Sequence, residues 1–179
     1  MNLNIPYMET DNKLLNDAYR IAAGDIVGNI VYYQNGLLTE EKPCMIAGLD
    51  YNTPWTRDTA INIWNALSIL SPEVSKNTLL AVLEEEEGNI YIGGQYWDSI
   101  IWMIGAREYC RFHKDDNFYR LAFEAGRNSV HRLEEDEFDE EDGLFRGPAV
   151  YGDGIAAYPD KYSKCPNQGS GILEWVDYP

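Results

Sequence analysis

Two stretches of this chain copy one another: PWTRDTAINIW, from Pro54 to Trp64, and QYWDSIIWMIG, from Gln95 to Gly105. Each runs through a tryptophan, an aspartate, a hydroxyl residue and an aliphatic stretch to a second tryptophan. Asp58 and Asp98 lie 40 residues apart, room for two helices of ordinary length and two loops. Self-similarity at such a period is the mark of stacked helical hairpins. A looser third copy, YGDGIAAY, places Asp153 after a tyrosine and before apolar residues. Aspartate suits a helix start, where its oxygen accepts orphan amide hydrogens and its charge meets the positive end of the helix. If alternate helices point the same way, Asp58, Asp98 and Asp153 gather at one end of a bundle and line a pocket with the neighbouring aromatics. The plainer alternative is that each only caps its own helix. A cap does not need an adjacent Arg57 and Trp55, which weighs against that alternative for Asp58.

Helical periodicity supports the repeat. Asp11 opens a first helix with apolar residues from Leu14 to Ile30. A second runs from Asp58 to the Ser71-Pro72 break. A third begins at Pro72 and runs through Glu84–Glu87 to Gly88, its acidic end frayed and solvated. Two more cover DSIIWMIGAREYCRFHK and DDNFYRLAFEAGRNSVHRLEED. Between them lie long aromatic connections. VYYQNGLLTEEKPCMIAGLDYNTP reads as irregular with room for a short strand or two, NIYIGGQYW as an irregular lead-in, and the glycine- and proline-rich stretch after Glu137 as mostly loop. Loops this long inside a domain are uncommon and often functional. One domain over residues 1–179 is expected.

The net charge of −16 argues against nucleic acid and anionic membranes, which are gripped by basic surfaces. No apolar run reaches the roughly 20 residues of a membrane span. The partner to expect is neutral, cationic or a small molecule. MNLNIPYMETDNK shows no signal peptide, so the cytoplasm is the expected compartment, with processed export left open. Cys44, Cys110 and Cys165 are odd in number and widely spaced, and read as free thiols.

Sugars offer hydroxyl groups around a ring and C–H faces above and below it. Tryptophan supplies an apolar, electron-rich face, while arginine and aspartate supply charge-assisted hydrogen bonds. WTRD at a helix mouth therefore reads as a hexose-binding element. WTRDTAINIWNAL, GGQYWDSIIWMIGAREY and DGLFRGPAVYGDG, in that order, resemble the six-hairpin glycosidases, the glucoamylase-, trehalase- and glycogen-debranching-like enzymes. The resemblance covers roughly residues 45–160. It implies an all-α fold, a toroid of helical hairpins of the (α/α)6 type, present here as about half a barrel. It implies that Trp55, Arg57 and Asp58 bind the non-reducing sugar, with Gln95, Tyr96, Trp97 and Asp98 facing the same ring. It makes Asp153 the general acid, with Asp142 second, and Arg146 and Tyr151 their neighbours. The implied activity is hydrolysis of a neutral oligo- or polysaccharide, by inversion, with the base missing from this chain and no cofactor. The alternative is a non-catalytic helical module that binds a sugar or a protein. Half a barrel leaves apolar helix faces uncovered, so a second copy or the remainder of the barrel is an expected partner.

Other chemistry is disfavoured. His113 and His131 sit in no zinc pattern and read as surface helix residues. An EF-hand frame with Gly143 at its sixth position puts Phe138 first and fails. No phosphate-binding loop or nucleophile elbow is present.

Overall fold

The structure, a computed structural model, describes residues 5–94 and 97–145. The chain divides into two units, Met1–His131 and Arg132–Pro179. In the first unit, α1 (Lys13–Gly28) leads into a hairpin of β1 (Ile30–Tyr33) and β2 (Lys42–Met45). Helix α2 (Thr56–Asn62) continues through a π-helical turn, Ile63–Leu67, into a last turn, Ser68–Leu70. Helix α3 (Pro72–Ala81) follows, then a second hairpin of β3 (Leu83–Glu86) and β4 (Asn89–Ile92). Helices α4 (Asp98–Phe112) and α5 (Asp116–Glu137) complete the series. In the second unit, β5 (Phe138–Asp139) and β6 (Leu144–Phe145) form a short third hairpin.

The all-α toroid expected from the repeat is therefore corrected. The described chain is a mixed α/β fold of five helices and three two-stranded antiparallel hairpins. The clearest local departure is at Glu84–Glu87, expected to be a frayed helix end. Helix α3 stops at Ala81, and the glutamates form β3 and its turn. Glu87 and Gly88 both take positive φ, 51° and 81°. Such a pair suits a two-residue hairpin turn, because its twist matches that of the flanking strands.

The repeat itself is present in three dimensions, and it includes the hairpins. Asn77 of α3 donates from Nδ2 to the Pro43 carbonyl, while Thr78 Oγ1 accepts from the Met45 amide at 3.0 Å. Asn128 of α5 donates to the Ile90 carbonyl, while Ser129 Oγ accepts from the Ile92 amide at 2.8 Å. Each hydroxyl also donates to the carbonyl four residues back, Val74 or Ala125. An asparagine followed by a hydroxyl residue thus holds the second strand of each hairpin in the same way. The repeating unit is a hairpin, a helix opening near a tryptophan, and a second helix that returns to grip the hairpin.

Helices α2 and α4 run parallel. They meet near their starts through Arg57 and Asp98 and near their ends through Ser68 and His113. Midway, a Cβ built on Gly105 would lie 2.8 Å from Ala60 Cα, so only glycine permits this approach. The core sits among α2, α3, α4 and the hairpins. Trp102, Ile63, Leu79 and Leu83 are fully buried there. In the π-helical turn, Ile63 and Leu67 are buried and Trp64 is exposed.

No helix of the described residues is long and apolar enough to cross a membrane. Of the three cysteines expected to be free thiols, Cys44 and Cys110 are free and Cys165 lies outside the described residues; burial pushes the Cys44 thiol up to about 12. His113 is half-buried and tied to the Ser68 carbonyl at 2.7 Å; His131 is exposed.

Candidate functional site

The two parallel helices bring their copied openings together. Trp55 precedes α2 in extended conformation, φ −107° and ψ 138°, and its carbonyl takes the Thr59 amide at 2.8 Å. No side chain caps this helix. Asp58, expected at the cap, is exposed in the first turn, where its charge still suits the positive helix end. Asp98 is likewise the first residue of α4 rather than its cap, and the half-buried Trp97 holds the cap position.

The Asp98 carboxylate turns across to the neighbouring helix. Arg57 Nε donates to Asp98 Oδ1 at 3.1 Å, with the Asp98 side chain 5% exposed and that of Arg57 27%. Taking a carboxylate this far out of water is costly unless it is paired. The pair therefore fixes the orientation of Asp98 and joins the openings of α2 and α4.

Gly93 and Gly94 close the site from the second hairpin. Thr56 Oγ1 donates to the Gly93 carbonyl at 2.8 Å. Gly94 has φ +112°, and a Cβ there would lie 2.8 Å from Thr56 Oγ1 and 2.9 Å from Asp98 Cβ. Only glycine fits both the backbone angle and the space.

These elements enclose a cleft of about 230 Å³ walled by Trp55, Thr53, Thr56, Asn35, Glu84 and Asp98, with the two glycines and the end of α3 behind them. Drug-sized ligand pockets run to roughly 300–1,000 Å³. A cleft below that range suits one small polar ring better than an extended chain. Trp55 is 43% exposed and Tyr51 meets it edge to face, with ring centroids 6.1 Å apart. Thr53 shares a 2.8 Å hydrogen bond with the Tyr33 hydroxyl, which anchors the loop to the first hairpin.

Of the expected sugar-binding residues, Trp55 and Asp98 wall this cleft. Arg57 acts on it through Asp98, and Asp58 is not part of its wall. Gln95, Tyr96, Arg146, Tyr151 and Asp153 lie outside the described residues. Asp142 is exposed in the β5–β6 turn of the second unit, where its amide donates to Asp139 Oδ1. Among the described residues, no group of three or more His, Cys, Asp or Glu side chains is placed to hold a metal ion. Sequence reasoning missed Glu84, Thr56, Asn35 and the two glycines. The alternation of Ile90 and Ile92 after Glu87-Gly88 marks the hairpin that carries Glu84 and leads into the glycines. No protein-family model, curated protein or solved structure matches this chain.

Proposed function

We propose that this chain is the sugar-recognising part of a glycoside hydrolase acting on a neutral oligo- or polysaccharide. The observation that carries the reading is the cleft at the paired helix openings, where half-exposed Trp55 stands beside a carboxylate, Asp98, held in place by Arg57. An aromatic face covers the C–H side of a pyranose, and a fixed carboxylate accepts hydrogen bonds from its hydroxyls. Thr53, Thr56 and Asn35 add neutral hydrogen-bonding groups, which suits an uncharged polyol. The sequence resemblance to the six-hairpin glycosidases supports hydrolysis as the reaction.

Hydrolysis requires a carboxylic acid that protonates the leaving oxygen and a carboxylate on the other side of the scissile bond. In this reading Asp153 is the acid and Asp142 the second candidate. Asp98, already paired with Arg57, positions the sugar. The test is reducing-end release from a panel of neutral oligosaccharides by the complete enzyme, base included, with Asp153→Asn beside the unaltered protein. The expected result is retained binding and loss of hydrolysis in that variant. Unchanged turnover removes Asp153 from the acid role. Saturable sugar binding with no turnover by the unaltered protein favours the non-catalytic sugar-binding module.

A further inference from the structure

The cleft contains a second carboxylate that the sugar-binding element does not account for. Glu84 stands on β3, opposite Tyr91 of β4, and walls the cleft together with Asp98. A Cβ on Gly93 would lie 2.5 Å from Glu84 Oε1, so the carboxylate rests directly on the glycine that Thr56 ties down. Asp98 has Arg57 as its ion-pair partner, whereas Glu84 has no ion pair among the described residues. Among the described residues, the wall of the cleft includes no lysine, arginine or histidine. Among the described residues, the cleft therefore presents one negative charge that no cation offsets, beside the aromatic face of Trp55.

We propose that Glu84 sets the charge selectivity of this cleft, favouring neutral and amino sugars over uronic acids. The proposal rests on the sugar-binding reading above and adds to it a residue and a ranking of ligands. A carboxylate that accepts hydrogen bonds from a neutral ring's hydroxyls repels a ring carrying its own carboxylate at the same distance. An ammonium group in place of a hydroxyl is attracted instead. In a partly solvated cleft, two unit charges several Å apart interact by about 1–2 kcal/mol, or roughly tenfold in affinity. Glu84 is exposed and on a hairpin edge, so glutamine replaces it in shape without disturbing the core.

The experiment is calorimetric titration of the chain with matched triplets: glucose, glucosamine and glucuronic acid, and the galacto and manno series. It is done on the unaltered protein, on Glu84→Gln, and on Trp55→Ala as a reference that tests the sugar site itself. The expected result is binding of the neutral sugar in at least one series, with the uronic acid about tenfold weaker and the amino sugar as tight or tighter. In Glu84→Gln the gap between neutral sugar and uronic acid closes to about threefold or less. Equal binding of neutral and acidic sugars by the unaltered protein, or a gap that Glu84→Gln leaves intact, overturns the role of Glu84. In that case the sugar-binding reading stands if Trp55→Ala still abolishes binding. No binding of any sugar overturns both.

Discussion

At the scale of single residues, glycines fix the geometry of the site. Gly94 is needed twice over, for its φ of +112° and for the absence of a Cβ against Thr56 and Asp98. Gly36, with φ +59°, is more tightly enclosed: a Cβ there would meet the carbonyl oxygens of Leu83, Leu80 and Ala81 at 2.5–2.8 Å. Backbone carbonyls cannot swing aside as a threonine hydroxyl can. Gly94→Ala is expected to cost about 1–3 kcal/mol, and Gly36→Ala more, as measured by urea denaturation. Equal stability of Gly36→Ala and the unaltered protein would contradict the packing described. Trp55, Arg57 and Asp98, proposed to form the sugar site, stand out in the sequence because they are chemically uncommon neighbours of a helix start. Their division of labour does not. Spacing along the chain does not say that Arg57 spends its Nε–H on Asp98, since that bond spans 41 residues.

At the scale of elements, the first two hairpins are each held to a helix by an asparagine amide and a buried hydroxyl. Thr78 is fully buried, accepts from Met45 and donates to Val74 at 2.6 Å; Ser129 does the same between Ile92 and Ala125. Thr78→Val keeps the shape but strands the Met45 amide, and Ser129→Ala strands that of Ile92. Each is expected to lower stability by about 1–3 kcal/mol, measured as a shift in the denaturation midpoint. A neutral result in both would mean that the strands are held by the asparagine amides and packing alone. Asp115 offers an element-scale test in pH. It accepts from the Phe118 amide at 3.0 Å at the start of α5 and pairs with Lys76 at 2.6 Å. The Lys76 hydrogen bond, followed by that from the Phe118 backbone, holds its carboxyl below the usual 3.8. A lowered folded value means that its contribution is complete above the unfolded value and fades as pH falls through the folded one. The stability gap between the unaltered protein and Asp115→Asn should therefore be constant above about pH 5 and shrink below about pH 4. A gap that grows on acidification would contradict this pairing. The helices were legible from periodicity, and room for a strand or two was legible where the first hairpin lies, but the second and third hairpins were not. The strands are two to four residues long, β2 contains Pro43, and β3 is three glutamates after a leucine. Such a run resembles an acidic helix end until Glu87-Gly88 is taken as a turn.

At the scale of the molecule, the copied stretches at Asp58 and Asp98 do open parallel helices, Asp153 lies outside the described residues, and the repeat misjudged the architecture around them. An interval of 40 residues was assigned to helices and loops, whereas a hairpin occupies part of it and is gripped by the returning helix. Apolar side chains remain exposed on several helices, including Leu14 and Ile21 on α1, Trp64 beyond α2, and Ile100 and Ile104 on α4. Against a chain of net charge −16, a neutral ligand forms no net ion pair, so its affinity should change little with salt. If Trp55, with Asp98 fixed by Arg57, forms a sugar site, neutral oligosaccharides bind there and their binding does not depend on the acid Asp153. The measurement that bears on this site most directly is calorimetric titration of the unaltered protein and of Trp55→Ala with neutral oligosaccharides, with circular dichroism to confirm the fold of each. Saturable binding by the unaltered protein and its loss in the folded variant are the expected results. Absence of binding in both, or equal binding in both, would contradict a sugar site there.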